Sequence, residues 1–225
     1  MVRCYPQEPE FTSKTAAEQK VWEILRRDLP DDALLFHSVQ LRHQRAEHEI
    51  DLLVLLPGVG VAVIEVKGGL ISVENGTWYQ SGAKDKHPLK ESPMAQVQSA
   101  SHALRELLGK HMGSRFTSRI ADLVCFPYTD WPAGYSSVGL PRDLVIDRGQ
   151  VEHLVEHLHQ AIEERGAGSS TLAPEFAERM VRHLNGDTGP LGATPAEVDY
   201  AQAMSNEDIQ ETLTTRQSIL LSCTR

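Results

Sequence analysis

Two nearly continuous apolar runs dominate the hydrophobic pattern of this chain. They cover residues 50–56 and residues 61–67, the second run ends in charged residues, and the glycine-containing segment 57–60 separates them. Two such runs around a short turn predict a β-hairpin. Because apolar residues occupy both sets of alternating positions, both faces of this hairpin are predicted to be covered, as in the centre of an α/β sheet.

The patterns on either side of this hairpin complete the predicted fold. Helical spacing of apolar residues predicts helices at about 15–29, 94–108, 151–165 and 174–184. Alternating or apolar segments predict strands at 34–41, 70–73, 77–79, 120–126 and 144–146, of which the first is interpreted as an edge strand. Asn75-Gly76 is the preferred chemistry for a two-residue hairpin turn. This order predicts an α/β sandwich around a mixed sheet.

Length and composition are typical of one globular domain with an appendage. We divide the 225 residues into a domain at 1–165 and a linker with a helical appendage at 166–225. No segment approaches the ~18 consecutive apolar residues of a membrane span, and no signal peptide is visible. We therefore expect a cytoplasmic protein without a membrane partner. Three cysteines without paired spacing fit neither a disulfide framework nor a zinc site.

The charge balance excludes one simple function. There are 22 Lys+Arg against 31 Asp+Glu, which gives a formal net charge of −9. This balance argues against a surface coated with basic charge for unspecific nucleic-acid binding, although it leaves room for a local basic groove.

Three charged residues stand out in the apolar hairpin, because charge is costly in a sheet that is covered on both faces. Glu65 and Lys67 are two residues apart and therefore share a face. With residues 58–60 as the loop, Asp51 pairs with Lys67 on that same face, and Glu65 lies diagonal to both. A loop of even length would place Asp51 on the opposite face unless a bulge corrected it.

These three residues have two chemical interpretations. Carboxylate oxygens are hard ligands suited to Mg²⁺, which lowers the pKa of a bound water and stabilises charge on a phosphate. In that interpretation Lys67 orients the attacking water or neutralises charge in the transition state. The alternative is a buried structural salt bridge between Lys67 and either Asp51 or Glu65, which is a weak stabiliser.

Several segments together resemble a known family. They are Glu18 in the first helix, Glu49-Ile50-Asp51, Ile64-Glu65-Val66-Lys67-Gly68-Gly69, Asn75-Gly76-Thr77-Trp78 and Ser92-Pro93-Met94-Ala95-Gln96. In this order they resemble the NERD (nuclease-related) domain of the PD-(D/E)xK nuclease superfamily, with Ser92 in place of the asparagine of an Asn-Pro-x-x-Gln motif. The resemblance covers about residues 15–108 and, more weakly, 120–127.

The resemblance implies a fold and a set of roles. The fold would be a restriction-endonuclease-like three-layer sandwich, and the activity a Mg²⁺- or Mn²⁺-dependent deoxyribonuclease that acts in DNA processing or in antiviral defence against foreign DNA. Asp51, Glu65 and the Val66 carbonyl would be metal ligands, and Lys67 the catalytic lysine. Glu18 would contact a metal-bound water or Lys67, although a capping box with Thr15 explains it equally well. Gln96 would contact the lysine or a phosphate, although an ordinary glutamine at a helix start is an equal alternative.

The expected partners follow from the same resemblance. DNA, single- or double-stranded, is the expected substrate, and a homodimer would pair two active sites. Residues 213–220 resemble the segment before the first ATP-binding motif of superfamily 1 helicases, although no phosphate-binding loop occurs in the chain. A helicase in cis or in trans is therefore an expected partner. The alternative function is a non-cleaving nucleic-acid or partner-binding module of a helicase assembly.

The remaining candidates for functional residues have simpler structural interpretations. His153 and His157 have the spacing of a zinc pair, with His159 nearby, but a solvated helix face is the simpler interpretation. His48 is interpreted as a surface histidine and Trp78 as a core residue. Five basic residues are candidates for a phosphate-binding rim: Arg42, Arg45, Lys84, Lys86 and Lys90.

Overall fold

The computed structural model describes residues 2–43, 46–82, 85–112, 116–135, 139–165 and 170–184. The described residues belong to one compact unit that extends to Leu184. The predicted helical tail and the segment that resembles a helicase lie outside the described residues. The predicted boundary at residues 165/166 does not separate α4 (Pro174–Leu184) from this unit, because Ala177, Met180 and Val181 are buried in the same core.

Nine strands and four helices make up the described fold. In chain order they are β1 (Arg3–Tyr5), α1 (Ala16–Asp28), β2 (Leu34–His43), β3 (Ala46–Leu56), β4 (Gly60–Val66), β5 (Leu70–Glu74), β6 (Thr77–Ser81), β7 (Lys86–Pro88), α2 (Pro93–Met112), β8 (Ile120–Cys125), β9 (Val145–Ile146), α3 (Leu154–Arg165) and α4. Short 3-10 turns at Arg142–Leu144 and Val151–His153 precede β9 and α3.

Six of the strands form a mixed central sheet in the order β1-β2-β3-β4-β8-β9. The strands β2, β3 and β4 are antiparallel, whereas β1 is parallel to β2, and β8 is parallel to both β4 and β9. Helix α2 packs on β2, β3, β4 and β8, and helices α1 and α3 contact each other and the sheet. Asp122 in β8 reaches Ser101 in α2 from one face of the sheet, whereas Gly60 in β4 meets Ile162 in α3 from the other. The predicted three-layer α/β sandwich is therefore confirmed.

The apolar pattern explains why the hairpin β3–β4 lies at the centre. All seven residues of β4 are buried, as are the last five residues of β3. Residues on both faces of these strands contact helices or neighbouring strands, which is the burial expected for a near-continuous apolar run. None of the helices in the described residues is long and apolar enough to cross a membrane.

Three details of the predicted topology were wrong. Strand β2 is not an edge strand, because the three-residue strand β1 pairs alongside it. Strands β5 and β6 do not join the central sheet but form a separate three-stranded sheet with β7. Helix α2 continues through Gly109 to Met112. The Asn75-Gly76 turn is confirmed, with φ of 49° and 79°, the left-handed conformation that a type I′ turn requires.

Candidate active site at the end of the central hairpin

The turn of the central hairpin sets the register of the charged residues. Gly58 has φ of 79° and the Val59 N–H bonds to the Leu56 carbonyl, which is typical of a type II turn with Pro57 at its second position. The loop is therefore 57–59 rather than 58–60, and Leu52 pairs with Ile64. Continued by one residue, this register places Asp51 opposite Glu65. The predicted pairing of Asp51 with Lys67 was wrong by two residues, but an even shift keeps Asp51 on the face of Glu65.

A hydrogen bond between the two strands holds Asp51. Its Oδ2 accepts from the backbone N–H of Val66 over 2.8 Å. Burial raises the pKa of Asp51 well above its ordinary value, and the nearby negative charge of Glu65 raises it further, while the Val66 hydrogen bond acts in the opposite direction. The Asp51 carboxylate is thus held in an environment that disfavours its charge.

Glu65 is the most deeply buried charged residue of this cluster, with 1% of its side chain exposed. Burial raises its pKa, and the ammonium of Lys67 opposes that rise. Lys67 Nζ lies 2.5 Å from Glu65 Oε1, so this oxygen is paired with the lysine ammonium. An ionised carboxylate has about four acceptor sites, so this ion pair leaves capacity to bind a cation.

Backbone contacts after β4 fix the position of Lys67. Its N–H bonds to the Cys125 carbonyl of β8, and its side chain is 19% exposed. The two glycines that follow permit close packing. A Cβ on Gly68 would lie 3.1 Å from the Ala17 Cβ, and one on Gly69 would lie 2.5 Å from the Ser81 carbonyl oxygen. The Gly68-Gly69 pair therefore lets the start of α1 and the end of β6 approach the strand end that carries Lys67.

Glu18 does not take part in the capping box that the sequence offered as an alternative. Thr15 makes no side-chain capping bond to α1, and its hydroxyl instead accepts from the Thr12 N–H. Glu18 Oε2 lies 2.9 Å from His37 Nε2 in β2. The negative charge of Glu18 contributes to the raised pKa of both Asp51 and Glu65, and its chain neighbour Ala17 packs against Gly68, the residue after Lys67.

Gln96 is not joined to this cluster by any hydrogen bond among the described residues. Its backbone N–H bonds to the Ser92 carbonyl, and its side chain is half-buried in the first turns of α2. Ser92 acts as the helix cap, because its hydroxyl accepts from the Ala95 N–H and Pro93 is the first helical residue. Serine thus replaces asparagine without loss of the cap, and the role of Gln96 stays a prediction.

The weaker candidates fall outside the cluster. Trp78 stacks on Trp131, with ring centroids 5.6 Å apart, which supports its interpretation as a packing residue. Lys86 pairs with Glu74 and lies over the ring of Tyr79. Of the other rim candidates, Arg42 and Lys90 are exposed, and residues 45 and 84 lie outside the described residues.

The histidine candidates also have ordinary contacts. His48 Nδ1 lies 3.4 Å from Ser99 Oγ of α2. His153 is exposed and approaches Glu156 on the same helix face. His157 is half-buried on α3 and His159 follows two residues later, and in the described residues these histidines form no metal-binding group of three.

Four residues that shape the site were not predicted from the sequence. His37 holds Glu18, Ser38 donates to Glu49 Oε1, Gln80 donates to the Gly68 carbonyl, and Thr129 bonds to both Gly69 and Ile71. Only His37 carried a signal in the sequence, as a polar residue directly after the apolar run 34–36. The others act through contacts between segments distant in the chain.

The donor set of this cluster fits a hard divalent cation. In the described part of the chain no three carboxylate, thiolate or imidazole groups converge closely enough to hold a metal by themselves. Asp51 and Glu65 offer two carboxylates, the Val66 carbonyl offers a third oxygen, and Mg²⁺ usually retains several waters. Burial raises the pKa of both carboxylates although Lys67 is paired with Glu65, so one lysine does not fully balance the two negative charges.

The chain has a three-layer α/β fold, with two carboxylates and a lysine at the end of its central hairpin. The comparison with known families names the class of protein that has these features. The family model of the nuclease-related domain, NERD, matches residues 13–127, about half of the chain. The chain belongs to this family. No curated protein and no solved structure matches the chain.

Proposed function

We propose that this chain is a metal-dependent nuclease that hydrolyses phosphodiester bonds in DNA. The observation that carries the proposal is the buried Glu65 carboxylate, which lies opposite Asp51 and is paired with the Lys67 ammonium. A structural salt bridge needs only one carboxylate in contact with the lysine. It does not need the second buried carboxylate, Asp51, whose pKa is raised as well.

Asp51, Glu65 and the Val66 carbonyl are the residues that would hold Mg²⁺ or Mn²⁺. The cation, when bound, supplies an acidified water and stabilises negative charge on the phosphate. The bond from Val66 to Asp51 keeps the first carboxylate next to the strand that carries the second. Preorganised ligands of this kind do not have to be ordered when the substrate arrives.

Lys67 is the group that would act on the reacting atoms. Its ammonium is partly exposed and lies beside Glu65, at a strand end fixed by the bond to Cys125. From this position it would orient the attacking water and stabilise the charge that develops on the phosphate oxygens. Glu18, on the neighbouring helix, would accept a hydrogen bond from the same water.

The biological setting is part of the proposal. Action in DNA processing or in antiviral defence against foreign DNA follows from the family and is favoured by no contact of the described residues. The same holds for a cytoplasmic location, for a homodimer and for a superfamily 1 helicase as partner.

Cleavage of a panel of substrates tests the proposal. The full chain is incubated with single-stranded DNA, linear duplex, supercoiled plasmid and RNA, each with Mg²⁺, with Mn²⁺ or with EDTA. We expect cleavage of DNA that EDTA abolishes and that Glu65→Gln lowers at least about a thousandfold, as expected when a metal ligand and its charge are lost. The substrate pattern separates endonuclease from exonuclease action.

The alternative function has a distinct signature in the same assay. A folded wild-type chain that binds DNA but cuts none of the substrates would contradict the nuclease proposal and favour a non-cleaving binding module. Cleavage that persists in Glu65→Gln would point to a contaminating nuclease. Lys110→Ala, which removes an exposed lysine of α2, is the matched control and should retain full activity.

A further inference from the structure

A histidine outside the family motif holds one carboxylate of the site. His37 Nε2 lies 2.9 Å from Glu18 Oε2, and the two side chains are only 9% and 18% exposed. Because an ionised carboxylate only accepts hydrogen bonds, Nε2 is the donor. A charge-assisted bond that is largely withdrawn from water is short and directional, and it fixes which oxygen of Glu18 is occupied.

The imidazole ring of His37 is itself fixed by aromatic packing. Phe11 meets it edge-on with ring centroids 4.8 Å apart, and Trp22 does so at 6.0 Å. Both neighbours belong to the chain around α1, the helix that carries Glu18. The ring therefore has little freedom to turn away, and the position of Glu18 depends on where β2 places His37.

The backbone of β2 is unusual directly after His37. Ser38 has φ of 54°, which a residue with a side chain rarely adopts, yet the register with β3 is the same on both sides of it. Ser38 Oγ donates to Glu49 Oε1 over 2.6 Å, so this left-handed residue is tied to the strand that carries Asp51. Uncommon backbone conformations of this kind cluster at functional sites.

We infer that His37 is a positioning residue that holds Glu18 by one oxygen and leaves the other available to the cluster of Asp51, Glu65 and Lys67. This inference rests on the proposed function, since it assigns a task to Glu18 in the same reaction. The contrasting role is a purely structural one, in which the His37–Glu18 contact only fastens α1 to β2. The two roles differ in the effect of replacing His37 when Glu18 has already been replaced. A positioning residue then causes no further loss of activity, whereas a purely structural residue still does.

A double-mutant cycle separates these roles. His37→Phe keeps an aromatic ring but removes the donor, His37→Gln keeps a donor at similar reach, and each is combined with Glu18→Gln. We expect His37→Phe to lower kcat about tenfold with KM for DNA unchanged within about twofold, and His37→Gln to retain activity within about threefold. In the Glu18→Gln background, His37→Phe should cause no further loss.

Two results would overturn the inference. One is an equal loss from His37→Phe in the wild-type and Glu18→Gln backgrounds, and the other is a His37→Gln variant as impaired as His37→Phe. If His37→Phe fails to fold, the cycle is run with His37→Gln and Glu18→Gln, where the small loss expected from His37→Gln must vanish in the Glu18→Gln background. His48→Phe is the matched control, because it removes a half-buried histidine of the adjacent strand and should leave kcat unchanged.

A second readout keeps this test independent of cleavage. If the wild-type chain cuts no substrate, the proposed function fails, and the cycle is measured as Mn²⁺ affinity by calorimetry. His37→Phe should then weaken Mn²⁺ binding several-fold in the wild-type background and leave it unchanged in the Glu18→Gln background. Equal Mn²⁺ affinity of the wild type and His37→Phe would overturn the role of His37.

Discussion

The backbone N–H of Val66 donates a hydrogen bond to Asp51 Oδ2 across 2.8 Å. Strand β4, which carries Glu65, therefore also fixes the position of Asp51. The same contact keeps Asp51 opposite Glu65, where each carboxylate is buried and repels its neighbour. Burial raises the pKa of both groups. The hairpin thus carries an electrostatic cost that a divalent cation would relieve.

The stability of the metal-free protein should fall as the pH rises. A carboxyl group with a raised pKa in the folded state stabilises that state below its ordinary pKa, here near 4, and this contribution is lost as the pH rises through the folded value. We expect the free energy of unfolding in urea and EDTA to decrease between about pH 5 and pH 8.

The double variant Asp51→Asn/Glu65→Gln is the control for this pH dependence. It should be more stable than the wild type at neutral pH by about 1–2 kcal/mol, because two buried charges are removed. It should also have a shallower pH slope, which does not vanish because burial raises the pKa of Asp122 too. Identical slopes for the wild type and the double variant would contradict the assignment.

Divalent cations should raise the melting temperature of the wild-type protein. At a concentration one hundred times the dissociation constant, binding adds about 2.7 kcal/mol to the free energy of unfolding. For a unit of this size that corresponds to about 5–10 °C. Scanning fluorimetry with MnCl₂ or MgCl₂, compared with NaCl at equal ionic strength, measures this effect.

Two substitutions show whether that stabilisation comes from the proposed site. Glu65→Gln should abolish it, because a ligand is lost. Lys67→Ala should preserve or increase it, because the substitution removes a competing cation and leaves both carboxylates in place. A melting shift that survives in Glu65→Gln would place the bound cation elsewhere on the protein.

Gly69 should tolerate a side chain less well than another glycine with the same backbone conformation. Gly69 and Gly76 have φ of 69° and 79°, and each alanine variant should lose about 1–2 kcal/mol for that reason. A Cβ on Gly69 would also lie 2.5 Å from the Ser81 carbonyl oxygen, whereas one on Gly76 meets nothing within 4 Å. Gly69→Ala should therefore lose more stability in urea unfolding than Gly76→Ala, and equal losses would contradict the close approach of β6.

The sequence predicted the central hairpin and the burial of both its faces, because the apolar pattern alone determines both. It did not decide the register, which depends on whether Pro57 ends a strand or begins a turn. Proline favours the second position of a type II turn, and Gly58 supplies the positive φ of the third. The prediction that Asp51 and Glu65 share a face was confirmed. The observed register differs from the predicted one by two residues, and an even shift keeps each side chain on the same face of the sheet.

The contacts that complete the site could not be read from local patterns. Thr15 and Glu18 have the spacing of a capping box, but Glu18 instead binds His37, nineteen residues away in another element. Short strands such as β1 and β7 have too few residues to show a detectable alternation of apolar and polar positions. Helix α4 was separated from the domain because the sequence does not show that Phe176 packs on Phe116.

The rate of DNA cleavage by Lys67→Ala shows whether the end of the central hairpin is the active site. Lys67 can be removed without loss of a proposed metal ligand, so metal affinity and the melting temperature serve as internal checks on the variant. In Mn²⁺, on the substrate that the wild type cuts best, we predict that Lys67→Ala loses at least about a hundredfold in kcat, while Lys110→Ala keeps the wild-type rate. A Lys67→Ala chain that cuts DNA as fast as the wild type would contradict the assignment of this hairpin as the active site.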